Sequence, residues 1–535
     1  MKGRSPAWLL ALALLAVGCA QRSAGVPHYS HVLRFADVSD PDRLNPYLST
    51  MDLTYDLSSL IFSYLVIADA DGSLQGDLAT GVPTLRNGGI SADGKTYVYR
   101  LHRGVRWQDG APFTSADVKF SWQAVVNPYN NTLHREGYDE IARIDTPDPY
   151  TVVVHLKRRY PPFVSKFFAP LQEGGKGILP RHLLARYRSI NTIPFNGAPV
   201  GTGPFKFVRW DRGRRIMLER NGRYFRGRPK LARIEFLVIP DDQTMLNELR
   251  LHDIDLITSP PSTLYEQYRA VQGVRVQLSP WNAQELFIMN QSKPGLNDPI
   301  VRRAITMSLD YDGLIRKLTH GVAQRALDVI PPTAIGYVRN PAYRYDPVGS
   351  NALLQRAGWV RGPDGVRNKN GVRLEYTLDV IAGSDNQRKL SVQLQQYLAA
   401  IGLRLTIKSF SYNTIFTPDG PIYGNRYGFA VYSQTMPWDP DNLYYLGCAF
   451  FYPKGENVYR YCSRAVDRLE EAGLQTDDPA ARARIYHQAE RLIWRTVPYV
   501  PLCELRRLSV SSQSLQNFTV NPGSTPWYNA WQWDI

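Results

Sequence analysis

"GGISADGKTYVYRLHRGVRW", residues 88–107, contains the spacing Gly89-x-x-x-x-Gly94-Lys95-Thr96, the pattern of a phosphate-binding loop. A working loop of that kind runs from a buried strand into a helix, whose first amide groups hold the phosphates. The residues after Lys95 do not read as a helix. Tyr97, Tyr99 and Leu101 alternate with Thr96, Val98 and Arg100, the two-residue period of a half-buried strand. Asp93-Gly94 before them is a hairpin signal, because glycine enters the φ > 0 region freely. A turn followed by a strand is therefore expected here, and the nucleotide reading lacks the context it needs.

Working outward, Asp109-Gly110 reads as a second turn. Thr114-x-x-Asp117 reads as a capping-box start for a helix carrying Val118 and Phe120. From His31 onward short strands and helices alternate without a repeat or low-complexity segment. Strands are expected at "HVLRFADV" (31–38), "TVVVHLK" (151–157), "PFKFVRW" (204–210), "RIMLERN" (215–221) and "ARIEFLVIP" (232–240). The texture changes near residue 285, where "QELFIMNQ" leads to Asp298-Pro299, an N-cap and a first helical position ahead of Val301, Ala304 and Ile305. A second lobe is expected to begin there. It includes a helix through Leu390, Leu394, Leu398 and Ile401 stopped by Gly402, the strand "LRLTIKSF", and the helix "PAARARIYHQAERLIW" before "PYVPLCEL". The last segment, "LSVSSQSLQNFTVNP", reads as a short strand and turn returning to the first lobe.

The 535 residues suffice for two or three domains, and 44% hydrophobic with 21% charged residues is an ordinary globular composition. The formal charge of +15 is spread in short groups such as "RWDRGRR" with no nucleic-acid module among them, so solvated basic faces are expected and no nucleic-acid partner. Lys2 and Arg4 precede an apolar run from Ala7 to Val17, too short to span a bilayer but suited to a signal-peptide core. The run ends in Leu15-Ala16-Val17-Gly18-Cys19, which resembles the lipobox of bacterial lipoproteins. That implies a leader at 1–18, acylation of Cys19 and a lipid-anchored linker at 19–30; the alternative is a plain secretory signal in which Cys19 has no role. In an oxidising compartment Cys448 and Cys462 are the expected pair, with Cys503 left as a buried thiol. No ligand spacing supports a metal site.

Several segments together resemble the extracellular solute-binding proteins of the peptide, nickel and oligosaccharide class that serve ABC transporters (family 5). The strongest is "SADGKTYVYRLHRGVRWQDGAPFTSADVKFSW" (91–122). "DRLNPYLS" (42–49), "GTGPF" (201–205), "LNDPIVRRAITMSLD" (296–310), "LLQRAGW" (353–359) and "WDPDN" (438–442) follow in order. The resemblance implies an α/β fold: a two-lobed, type II periplasmic-binding-protein-like clamshell with an extra N-terminal subdomain (class C-like), and mixed sheets flanked by helices. It implies lobe I at 31–285 with the extra subdomain at about 58–195, lobe II at 286–504, and a return to lobe I at 505–535. It also implies the Cys448–Cys462 disulfide, found in dipeptide-binding members.

The function implied is capture of a peptide or similar polar solute between closing lobes and delivery to ABC permease subunits, by a monomer in the periplasm or cell envelope without cofactor or chemistry. Contacts are expected at Thr50, Met51 and Asp52 on the first lobe, and at Ser433, Gln434, Thr435, Met436, Trp438 and Asp439 on the second. Trp438 could instead pack on its own lobe, and Asp439 and Asp441 could order a turn. Peptide binders usually carry an aspartate at the position of Met436, where it meets the ligand's ammonium. Either Asp52, Asp439 or Glu285 takes that part, or the ligand has no free amino terminus. A clamshell sensor for a signalling receptor and a binder of an oligosaccharide or other non-peptide solute are the alternatives. An exported hydrolase has no support, since Gly-x-Ser-x-Gly is absent and Glu136 and Glu140 read as exposed carboxylates.

Overall fold

The computed structural model describes residues 31–49, 51–69, 73–132, 135, 137–170, 175–382, 385–436, 439, 442–520 and 527–535. The leader 1–18, the linker 19–30 with Cys19, and the expected contacts Thr50 and Trp438 lie outside these residues.

Residues 91–100 form the turn and strand their pattern predicts. Gly94 sits at φ +66°, where an L side chain is strained. Its N–H donates to the Ser91 carbonyl (2.9 Å), and the Lys95 N–H donates to Asp93 Oδ1 (3.1 Å). The strand Thr96–Arg100 follows and pairs antiparallel with Thr151–Leu156, so no helix stands after Lys95 to hold a phosphate. The helix Ser115–Val126 opens on the reciprocal capping box of Thr114 and Asp117. Between turn and helix, Gln108 acts as a tie. Its amide donates to the carbonyls of Ile61 (3.1 Å) and Phe205 (2.7 Å), and its Oε1 accepts from Gly201 N–H (3.0 Å). "GTGPF" needs its glycines because this junction brings backbone against backbone: a Cβ on Gly201 would fall on the Ile61 carbonyl.

The main sheet has eleven strands. Its labelled members are β1 (Val32–Asp37), β2 (Phe205–Asp211), β3 (Arg215–Arg220), β4 (Arg233–Val238), β5 (Leu256–Ile257), β6 (Val274–Met289), β7 (Glu375–Ile381), β8 (Arg404–Phe410), β9 (Phe429–Thr435) and β10 (Tyr499–Ser512). The order is β8-β7-β9-β6-β10-β5-β1-β4-β3-β2, with Gln324–Arg325 added against β10. β1 runs parallel to β4 and β5, and β7 runs parallel to β8 and β9. Three helices matter below: α1 (Asp52–Ile61), α2 (Tyr311–Thr319) and α3 (Asp385–Ala400).

The long strands β6 and β10 join the two halves of this sheet. They are paired antiparallel from Val274 opposite Ser512 to Ile288 opposite Tyr499. Each is apolar at both ends and polar in the middle. At one end Val274 and Val510 enter a core with Leu246, Leu249 and Tyr268. At the other end Leu286 and Ile288 enter one core, while Phe287, Met289, Val500 and Leu502 enter another. The divides expected at 285/286 and 504/505 fall inside these strands. The sequence pattern breaks "PYVPLCEL" from "LSVSS", whereas the chain continues as one strand, Tyr499–Ser512. Glu504, Arg506 and Arg507 interrupt the apolar pattern because the strand there passes from one core to the next.

The halves also meet away from the strands. Leu443 and Leu474 join the core built by Leu33, Phe35, Trp107 and Phe163, and Arg159 pairs with Asp477. Cys448 and Cys462 are bonded, and Cys503 is a buried free thiol. No helix among the described residues is long and apolar enough to cross a membrane.

Gly201→Ala is expected to destabilise the chain by roughly 1–3 kcal/mol or more through backbone overlap, read as a lowered midpoint in urea unfolding. An unchanged midpoint would contradict the packing described.

Candidate functional site at the strand crossing

Where β6 passes β10 the pairing slips twice, between Pro280 and Gln284 and again between Glu285 and Leu286. Such irregularities add a residue to one strand and re-aim its side chains. Here Trp281 and Glu285 face a cavity of about 320 Å³. One wall comes from Ser259, Pro260 and Ser262, which follow β5; the opposite wall is Leu314, Ile315 and Leu318 of α2 with Leu390 of α3. Its floor is formed by β10 at Cys503, Arg506 and Arg507, with Ser433 of β9 alongside. The cavity thus lies between the two halves of the sheet.

Glu285 is half-buried and its Oε1 is shut off from solvent with no hydrogen-bond partner. Ser433 lies opposite it on β9 and donates its hydroxyl to Oε2 (2.5 Å). Burial pushes the Glu285 carboxyl up to about 7, and the Ser433 hydrogen bond pulls it back only in part. Arg507 stacks on Trp281, its guanidinium carbon 5.3 Å from the ring centroid. Its Nε is buried and unpaired. Behind it, burial raises Asp56 of α1 to about 7 while the Arg507 charge opposes the rise. Arg506 donates to the Leu278 carbonyl (2.9 Å).

The contacts expected from sequence are spread over three environments. Met51 is the N-cap of α1 and Asp52 its exposed first residue; neither lines the cavity. Ser433 does. Gln434 accepts from Tyr459 Oη (2.9 Å), and Thr435 pairs with Ala283 on β6; neither lines the cavity. Met436 is 5% exposed and packs in a core with Leu286, Ile288 and Tyr427. Asp439 is buried and held by Arg482 (2.6 Å), so its charge is already matched. Of the three acids weighed as a partner for a ligand amine, Glu285 alone lines the cavity. Arg507 and Trp281 were not anticipated. The signal was present in "CELRRLSV", where two arginines interrupt an apolar strand, a pattern that marks a strand leaving its core.

The family model for bacterial extracellular solute-binding proteins, family 5 (middle), matches residues 73–455. The chain belongs to this family. The resemblance carried by residues 91–122 and the shorter motifs is therefore borne out. This family 5 protein is 26% identical over 526 residues to the glutathione-binding protein GsiB of Salmonella typhimurium, covering 95% of this chain and 96% of that one. Its fold matches the oligopeptide-binding protein AppA of Bacillus subtilis in complex with a nonapeptide, with a TM-score of 0.79 at 23% identity over 94% of this chain and 98% of that chain. It also matches NikZ of Campylobacter jejuni in complex with Ni(L-His), with a TM-score of 0.79 at 24% identity over 95% and 100%. The fold of the family 5 protein is that of a type II periplasmic binding protein, with two lobes about a cleft.

The unmatched acid has a measurable consequence for the family 5 protein. An unfolded glutamate titrates near 4.5, and folded Glu285 keeps its proton up to about 7. Between these values the folded chain binds more protons than the unfolded one, so this group's contribution to stability falls as pH rises and is lowest above 7. Glu285→Gln is therefore expected to raise the melting temperature at pH 8 and to change it little at pH 4. Equal effects at both values would contradict the burial argument.

Proposed function

We propose that the protein captures a peptide or similar small polar solute between its two lobes and delivers it to the membrane permease of an ABC importer. The observation that carries this reading is the cavity at the crossing of β6 and β10, walled from both halves. A solute that touches both walls binds the closed arrangement better than the open one. The difference in affinity is what drives closure. Membership of the solute-binding family and similarity to peptide- and glutathione-binding relatives support the same reading. The protein makes and breaks no bond in this role.

The lobes are read as 31–285, with an extra subdomain at about 58–195, and 286–504, with 505–535 returning to the first. Ser433 is the expected contact best supported by the cavity; Met51, Asp52, Gln434 and Thr435 would come into play at its edges. Met436 and Asp439 serve the second lobe's own packing in this reading. Acylation of Cys19 after removal of residues 1–18 would hold a monomer at the envelope, close to its permease.

Native mass spectrometry of protein purified without refolding is expected to show a bound small solute. Ejection of nothing, together with no change in melting temperature across a broad panel of peptides and sugars, would overturn the capture reading. The anchor is tested separately. Cells fed labelled palmitate are expected to label the full chain, and Cys19→Ala is expected to abolish the label; label retained in Cys19→Ala would refute acylation there.

A further inference from the structure

We propose that an arginine-lined groove, formed by the helices Pro299–Ser308 and Pro479–Thr496 and the loop 338–346, docks on the surface of an anionic membrane and takes lipid phosphate groups. This goes beyond the capture reading and does not depend on which solute is held.

The groove has a volume of about 900 Å³ and shares no residue with the cavity at the strand crossing. Arg303 lines it from the first helix, Arg339 and Arg344 from the loop, and Arg491 and Arg495 from the second helix. All five are exposed, and none is paired with a carboxylate among the described residues. The single acid in the lining, Asp346, is engaged as the N-cap of the helix Pro347–Arg356, where it accepts from the Gly349 N–H (2.7 Å). Five like charges around one concavity repel one another and focus a positive potential within it. A multivalent anion relieves that repulsion, and the guanidinium fork matches two phosphate oxygens at once. The basic face also continues along the second helix. Arg484, Gln488, Arg491 and Arg495 are exposed at helical spacing, while Glu490, the acid of that stretch, is fully buried.

The loop that carries Arg339 and Arg344 is fixed at both ends. Asp328 accepts from the Val338 N–H (2.7 Å) and from Asn340 Nδ2 (3.1 Å). Farther along, Trp494 Nε1 donates to the Pro341 carbonyl (3.1 Å), and the Tyr343 hydroxyl donates to the Trp494 carbonyl (2.7 Å). The two rings stack with centroids 4.2 Å apart. The Asp346 N–H then donates to the Met307 carbonyl (2.7 Å). The arginines are thus held together on a rigid backbone, which lowers the cost of binding an anion between them.

Apolar side chains beside the groove decide what kind of anion fits. Val348 is 79% exposed, the most of any large apolar side chain among the described residues, and Tyr345 is 48% exposed. Tyr345 stands between the lining residues Arg344 and Asp346 in the chain, and Val348 is two residues beyond. A soluble phosphate or an acidic protein loop would use the arginines and leave both apolar groups in water. A membrane surface uses all of them: phosphates meet the arginines, and the tyrosine and valine enter the boundary between headgroups and acyl chains. The formal charge of +15 adds long-range attraction to the same surface.

Co-sedimentation with vesicles tests this on the full chain carrying Cys19→Ala, which has no thiol at position 19 to acylate. Vesicles of phosphatidylcholine with phosphatidylglycerol are expected to bind it, phosphatidylcholine alone much less, and high salt to release it. Arg491→Gln with Arg495→Gln is expected to weaken binding about tenfold or more, at about fivefold per basic residue near a charged surface. Arg223→Gln with Arg228→Gln removes the same charge from exposed positions on the other half and is expected to weaken it about twofold at most. An environment-sensitive dye on Val348→Cys is expected to shift to the blue on anionic vesicles, and the same dye on Leu85→Cys to stay unchanged. The dye readout uses unaltered arginines, so a poorly folded arginine variant does not decide the matter. Equal loss from the two arginine pairs, or no preference for anionic vesicles, would overturn the inference. Binding of inositol hexakisphosphate or hexaglutamate in calorimetry without binding of vesicles would overturn it too, in favour of a soluble anion or an acidic protein segment. None of these outcomes touches solute capture, which the ejected solute reads separately.

Discussion

The pairing of β6 with β10 is the constraint on which the rest of the molecule depends. Two strands of 16 and 14 residues are hydrogen-bonded to each other and run from the core of one half into the cores of the other. A strand can enter two cores only if its ends are apolar, and it must leave the first before reaching the second. Polar residues occupy the stretch between: Gln284, Glu285, Glu504, Arg506 and Arg507, of which Gln284 and Glu504 are buried. The slips in register at this point bend the ladder and turn Trp281 and Glu285 into the space between the halves. The strand crossing and the walls of the cavity are therefore built from the same few residues.

The other contacts between the halves are modest by comparison. Arg159 is partly exposed, and pairs of that kind contribute about 0–1 kcal/mol. Such a contact adds little to holding the halves together. Glu285, its carboxyl raised by burial, and Arg507, stacked on Trp281, line this one cavity.

Much of the fold was legible from residues. The alternation after Lys95 identified a strand, the Thr114/Asp117 box a helix start, and Asp298-Pro299 another, because each rests on local hydrogen bonding. The disulfide was legible from the compartment and spacing of the cysteines. What failed to show were features set by tertiary passage. Tyr499–Ser512 read as two segments because its middle is charged, and its charge has meaning only beside the opposite strand. Met436 and Asp439 read as contacts through the resemblance of "YSQTMPWDPDN" to the family; Met436 is buried in a core with Tyr427, and Asp439 is held by Arg482, 43 residues along the chain. Glu285 stood out only as one of three acids, since nothing in the chain's order sets it facing Ser433.

The most direct test is the distance between the lobes. Spin labels at Leu85→Cys and Val360→Cys, 48% and 50% exposed and one on each half, report it by pulsed electron resonance in the solute-free protein and after refilling with the molecule recovered from the native protein. A broad distribution that shortens and narrows on refilling is the predicted result. One narrow distribution, identical in both states, would contradict the account.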